Sequence, residues 1–256
     1  MTLIKRYILF IFTTAFISFF WINGSTTNSK KESDQAFMPI NTSTKQSNDI
    51  NPIKLVYLTF DDGPTYIVTD AILDELKKGK VKATFFIVGK EIEGKEKILS
   101  RIYNEGHSIG LHTYSHNFKK IYRSSEDFIN EMKEDSDKIE QVIGFAPKII
   151  RFPGGSSKRL NSRSLEALHK NNFKVFDWNV NVDDGINPNL APSLLAKNSH
   201  TIKGNKNIAI ILMHCNFNNR NTVKALPQII KYYLDLGYNF KTITENTPEY
   251  YYRFKN

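Results

Sequence analysis

Cysteine is almost missing from this chain: Cys215 is the only one in 256 residues. A single thiol forms neither an intramolecular disulfide nor a multi-cysteine zinc site, so neither device holds this protein together. A dense block of lysine and arginine interleaved with aromatics is also missing, because the 35 basic residues are spread along the chain. That excludes the usual nucleic-acid-binding pattern. The net charge of +9 still suits anionic surroundings such as a cell envelope or a membrane surface. No internal repeat is found, which excludes a repeat architecture, and the length leaves no room for a second full domain. What is there in quantity is apolar: 40% of residues are hydrophobic and 12% aromatic, enough for a packed core and too many for a disordered chain.

The apolar residues are unevenly placed. Lys5 and Arg6 precede the uncharged run YILFIFTTAFISFFWI at residues 7–22, the pattern of an export signal or a signal anchor. No clear small-x-small cleavage site follows. The expectation for 1–22 is therefore an uncleaved anchor with its positive end inside and the rest of the chain outside the cytoplasm. Residues 23–52 are dominated by Ser, Thr, Asn and Lys and read as a flexible polar linker, too poor in apolar surface to fold alone. From residue 53 to 256 the pattern is that of one α/β domain.

Within that domain short β-rich runs alternate with helical periods, the signature of βα units around a largely parallel sheet. Strands are expected near 53–60, 82–88, 107–111, 148–152, 173–178, 208–213 and 239–243. Seven strands predict a distorted (β/α) barrel, left open between its first and last strands. Residues 125–143 place Phe128, Ile129, Met132, Ile139, Val142 and Ile143 on one helical face, start after Ser124 and stop at Gly144. A helix over 222–236 contains Pro227, which predicts a late start or a kink.

Five polar motifs each follow one of these strands, so a barrel would bring them all to one rim. They are TFDDG (59–63), HTYSH (112–116), RFPGG (151–155), DWNVNVDD (177–184) and ILMH (211–214). Asp61 and Asp62 are adjacent carboxylates, which repel unless a cation lies between them or nearby. His112 and His116 have the i, i+4 spacing of many zinc sites, and two imidazoles plus one carboxylate leave positions open for water and substrate. Arg151 ends an apolar strand and could orient a carboxylate such as Asp61, and the Gly154 turn exposes a backbone N–H to a developing oxyanion. His214, with Leu212 beside it, is placed to protonate a leaving group, assisted by a carboxylate of the Asp183–Asp184 pair. Taken singly, each motif has a plain structural reading: a solvated turn, a pair of core histidines, a salt bridge. Together they supply a metal-assisted hydrolase. His107, His169 and His200 are assigned to structure, with His107 near enough in sequence to support the HTYSH motif. Cys215 is a small apolar residue at a strand end rather than a nucleophile.

These residues resemble the five ordered motifs of the polysaccharide deacetylase family, the NodB-homology domain of carbohydrate esterase family 4, over about 53–243, with KATFFIVG and EGHSIGLHTYSH as matching context. The resemblance implies a single catalytic domain and one divalent metal, zinc with cobalt or manganese as alternatives, held by Asp62, His112 and His116. It implies Asp61 as the catalytic base, Arg151 as its electrostatic partner, His214 as the acid and Leu212 in the acetyl-methyl pocket. Two positions depart from the commoner pattern. Gly154 stands where a tyrosine is frequent, and Gly185 follows Asp184 where a tryptophan is frequent; Trp178 partly substitutes for it. Asp184 is the better match for the residue that tunes His214. The implied activity is N-deacetylation of an amino-sugar polymer, foremost peptidoglycan N-acetylglucosamine, at the cell envelope. An O-acetyl esterase of xylan or exopolysaccharide, and a non-catalytic glycan-binding module, are the alternatives. The expected partners are acetylated cell-wall or extracellular polysaccharide and, through the N-terminal segment, a membrane; nucleic acid is not among them.

Overall fold

The computed structural model describes residues 52–254. The anchor expected at 1–22 and almost all of the linker lie outside that range, and among the described residues no helix is long and apolar enough to cross a membrane.

The sheet is built on β1 (Leu55–Gly63), the longest strand. Its residues alternate, and the two sets do different work. Val56, Leu58 and Phe60 pack into the large cluster shared with the helices, whereas Tyr57 joins Phe86, Ile149, Phe176, Ile210 and Ile243 in a smaller one. Thr59 and Asp61 continue the Tyr57 side, two and four residues on, because side chains in a strand repeat every second residue. A carboxylate thus rides on the same face as an apolar cluster.

The other strands are β2 (Thr84–Ile87), β3 (Ser108–Leu111), β4 (Ile149–Ile150), β5 (Lys174–Val175), β6 (Val180–Asn181), β7 (Ile208–His214) and β8 (Asn239–Phe240). The order is β5-β4-β3-β2-β1-β7-β6, every pair parallel, with β8 beside the foot of β1. This is the expected distorted seven-stranded (β/α) barrel, with two corrections. The seventh rung is the two-residue β6, while the expected strand at 239–243 lies off the barrel path. The opening lies between β5 and β6 and not between the first and last strands, since β1 is central. Parallel neighbours need a crossover of about a dozen residues. Only residues 176–179 join β5 to β6, so those strands stand on opposite sides of the seam. The C-terminal segment borders it: Tyr250 pairs with Phe176, and the Tyr252 N–H donates to Asp177 Oδ2 at 2.8 Å.

The helices are α1 (Val68–Lys78), α2 (Glu96–Asn104), α3 (Phe118–Ile121), α4 (Ser125–Ile143), α5 (Ser162–Lys170), α6 (Pro192–Asn198) and α7 (Arg220–Asp235). α4 has the bounds expected from its pattern: the Ser124 side chain accepts from the Asp127 N–H, and Gly144 closes it in the left-handed region at φ 70°. α7 does not start late. It begins at Arg220 and carries Pro227 in its interior.

Candidate metal centre and active site

All five motifs meet at the C-terminal ends of the strands, in a pocket of about 570 Å³. Asp61, Asp62, His112, His116, Gly154, Trp178, Asp184, Leu212 and His214 all line it. Of the ten site residues expected from sequence, only Arg151 does not, because it is buried behind the wall with no exposed surface.

Asp62, His112 and His116 form the one cluster of metal-ligating side chains among the described residues. The Asp62 carboxylate Oδ1 lies 3.6 Å from His112 Nε2 and 3.4 Å from His116 Nε2. Two ligand atoms about 2.0–2.1 Å from one tetrahedral ion stand about 3.4 Å apart, so the donor set and its spacing both fit a divalent cation. The tautomer fits as well. His112 Nδ1 lies 3.0 Å from the Arg151 carbonyl, so Nδ1–H donates there and the Nε2 lone pair faces Asp62. Burial, then the neighbouring His112, lowers the His116 pKa against the pull of Asp62 and Asp61 and favours its neutral, ligating form. Burial raises the Asp62 pKa, but His112, His214, His116 and an Asn216 hydrogen bond outweigh it and hold the carboxyl below its ordinary value. Asp62, Thr113 and His116 all have positive φ, at 71°, 71° and 50°. Left-handed non-glycine residues cost on the order of 1 kcal/mol each, and here that strain aims the donors inward.

The next layer is carboxylate on guanidinium. Arg151 Nη1 donates to Asp61 Oδ1 at 2.9 Å and to Thr59 Oγ1 at 2.6 Å, Nε donates to the Phe176 carbonyl at 2.9 Å and Nη2 to the Asp177 carbonyl at 3.2 Å. Its plane covers the Phe86 ring, 4.1 Å from the centroid. Four of the five guanidinium N–H groups are thus taken by the protein, and Asp61 is the one carboxylate among those partners, with its Oδ2 facing His112 Nε2 at 3.7 Å.

Opposite stands His214, paired in register with Asp61 across β1 and β7. Asp184 Oδ1 lies 2.8 Å from His214 Nδ1, and Asp184 Oδ2 accepts from the His214 backbone N–H at 2.9 Å and from Thr222 Oγ1 at 2.7 Å. Asp183 does not reach His214: it is left-handed at φ 70°, and its Oδ2 accepts from Asn198. Burial disfavours the His214 cation, but Asp184, with Asp61 and Asp62 behind it, raises its pKa to about 9. Gly185 packs against this ring, where a Cβ would come within 2.3 Å of His214 Cε1. Any side chain at this position would require the imidazole or the 184–185 backbone to shift.

Leu212 is buried in the pocket wall, and Trp178 stands over Arg151 at 5.7 Å. Gly154 is left-handed at φ 73°, and among the described residues no acceptor takes its N–H. Cys215 is fully buried with its thiol on the Asp61 carbonyl, and burial pushes its pKa well up, so it is no nucleophile. His107 is the residue misplaced by sequence proximity. It precedes β3 and bonds the Ala83 N–H at the opposite end of the strands, where burial lowers its pKa to about 4.

Sequence reasoning missed two acids on α4. Glu131 accepts from the Ser115 N–H at 2.7 Å and the Ser115 hydroxyl at 3.0 Å, and Asp135 accepts from the His112 N–H at 2.9 Å. Both are buried, and they tie down the HTYSH loop from behind. The available signal was their i, i+4 spacing within the apolar stripe of α4.

Comparison with known proteins agrees with this geometry. A family model described as polysaccharide deacetylase matches residues 48–176. A peptidoglycan-N-acetylglucosamine deacetylase of Bacillus cereus is 36% identical over 198 residues, covering 76% of this chain and 71% of that protein. The peptidoglycan-N-acetylmuramic acid deacetylase PdaC of Bacillus subtilis is 31% identical over 193 residues, 75% of this chain and 38% of that longer protein. The crystal structure of a polysaccharide deacetylase from Bacillus cereus superposes with a TM-score of 0.69 at 35% identity, covering 76% of this chain and 94% of that one.

Proposed function

The chain belongs to the polysaccharide deacetylase family, and from that premise we propose that it hydrolyses the N-acetyl groups of peptidoglycan amino sugars at the outer face of the cytoplasmic membrane. The observation that carries this reading is the placing of two protonation groups, Asp61 and His214, beside a three-donor cation site in one pocket. In this reading residues 1–22 anchor the chain, 23–52 tether it and 53–256 do the chemistry.

Asp62, His112 and His116 hold one divalent ion, zinc by preference, since two imidazoles and a carboxylate are the donors zinc takes in open catalytic sites. When bound, that ion supplies Lewis acidity to the acetyl carbonyl and brings the pKa of water towards neutrality. Asp61, oriented by Arg151 through Oδ1, takes the water proton on Oδ2. The Gly154 N–H stabilises the oxyanion that forms on the former carbonyl. His214, its Nδ1 held by Asp184, gives the Nε2 proton to the departing sugar nitrogen. Leu212 and Trp178 wall the acetyl methyl. Water and amide are consumed, and acetate and a free amine are formed.

Acetate release from peptidoglycan and from N-acetylglucosamine oligomers tests this. It is expected to stop on chelation and return when zinc is added back; release only from O-acetylated sugars would replace the reading with an esterase. The pH profile tests the acid. A general acid works while protonated, so activity should persist through neutral pH and fall as pH climbs towards the His214 value, a limit that a bound cation moves downward. Asp184→Asn removes the main partner that raises this pKa and should shift the alkaline limb of kcat to lower pH by about one unit or more. An unmoved limb would remove His214 from the role.

A further inference from the structure

Phe118 lines the catalytic pocket and serves neither the cation nor a proton. Leu212 and Trp178 already wall the acetyl methyl, which leaves this ring without a part in the chemistry. Phe118 and Ile186 are the exposed large apolar side chains among the pocket's lining residues, at 44% and 80%. Only Phe118 offers a flat face.

Its position is set by two parts of the site. Phe118 opens α3 two residues after the ligand His116, and the two rings make a T-shaped contact, 5.4 Å between centroids at 78°. Phe118 also reaches the oxyanion turn: its Cε1 lies 3.5 Å from where a Cβ on Gly154 would be, with Arg159 Nη1 at 3.1 Å from the same point. The ring and the guanidinium together fill the space that a side chain at 154 would take. Phe118 therefore borders both a cation ligand and the turn whose N–H receives the oxyanion. The acetyl carbonyl has to lie against those two groups during hydrolysis, and the pyranose is bonded directly to the acetamido nitrogen. The sugar that is deacetylated thus comes to rest beside Phe118.

The ring is held before any substrate arrives. The Arg159 guanidinium lies over it at 5.4 Å, and Tyr122 meets it in a second T-shaped contact at 5.7 Å and 73°. Asn117 caps α3, its Oδ1 accepting from the Lys119 and Lys120 N–H groups at 3.1 and 3.3 Å. Lys120 in turn pairs at 2.7 Å with Glu131, the acid that holds Ser115. A side chain fixed in this way gives up little freedom on binding. A pyranose presents a face of C–H groups, and laying that face on an exposed aromatic ring removes apolar surface from water on both partners.

We propose that Phe118 is the stacking platform for the pyranose whose acetamido group enters the cation site, a substrate-positioning residue that takes part in neither proton transfer nor ligation. This role rests on the peptidoglycan amino-sugar reading.

The test compares the intact, zinc-loaded protein with Phe118→Ala, Phe118→Leu and Phe118→Tyr on an N-acetylglucosamine oligomer. Leucine keeps apolar bulk against His116 and Arg159 but has no flat face, whereas tyrosine keeps the face. Phe118→Ala and Phe118→Leu should both raise KM about tenfold, the effect of losing the burial of about 50 Å² of apolar surface. Phe118→Tyr should stay within about twofold of wild type, and all three should hold one metal ion per chain. An unmoved KM in Phe118→Ala, recovery by leucine as complete as by tyrosine, or loss of metal from Phe118→Leu would overturn the platform, the last two making the ring mere packing around His116. If the intact protein releases no acetate from the oligomer, the deacetylase reading fails separately. Calorimetric titration of the zinc-loaded proteins with the same oligomer then decides the platform: weaker binding by Phe118→Leu than by Phe118→Tyr supports it, and equal affinity, or binding by neither, overturns it.

Discussion

Asp61→Asn is expected to bind one metal ion per chain as before and to lose turnover about a thousandfold. The side chain keeps its shape, and an amide oxygen still accepts from Arg151 Nη1, which holds Asp61 Oδ1 at 2.9 Å. What disappears is the proton acceptor at Oδ2, the oxygen that no protein donor occupies. The ligand triad does not include Asp61, so metal content measured by elemental analysis should stay at the wild-type value while kcat falls. The buried guanidinium also loses its counter-charge, an arrangement that costs about 3–5 kcal/mol when a partner is removed outright. The loss should be smaller here because Thr59 and two carbonyls remain. A variant that kept its turnover would sink Asp61 as the base.

His112→Ala and Asp62→Ala should lose metal and activity together. Each removes one of three donors, and a site reduced to two no longer competes with water for the ion. The expected acetate release is below about one thousandth of wild type. A second readout is independent of catalysis. Zinc at about a hundredfold over its dissociation constant adds about 2.7 kcal/mol to a protein that binds it only when folded, so it should raise the melting temperature of the wild type and leave both variants where they are. Retention of that shift in either variant would assign the ion to other residues. His112→Ala carries a further consequence, because its Nδ1–H is the group bonded to the Arg151 carbonyl. Its loss loosens the link between the cation site and the base.

Much of this site is legible in the sequence for one reason: each motif follows an apolar run, and parallel strands deliver their C-terminal ends to one rim. Asp62, His112 and His116 converge because β1 and β3 are separated only by β2. Asp61 and His214 face each other because β1 and β7 are neighbours in the sheet. The preference for Asp184 over Asp183 came from the resemblance and holds; the residues alone did not decide it, since it turns on the positive φ of Asp183, which adjacent aspartates do not announce. β6 was hidden because two residues inside a polar segment carry no run to detect. Glu131 and Asp135 were hidden for the opposite reason: a carboxylate on a helix ordinarily faces water, and only the packing of α4 against the HTYSH loop turns these two inward.

The seam between β5 and β6 bears on the order in which the molecule is completed. Trp178 and the Asp177 turn form one wall of the pocket, and they are pinned by Tyr250 and Tyr252, whose hydroxyl donates to the Trp178 carbonyl at 3.0 Å. A ribosome has finished the last of the five motifs some thirty-five residues before it reaches those tyrosines. A chain cut ahead of Tyr250 would keep every donor and every proton-transfer group and leave that wall without its brace.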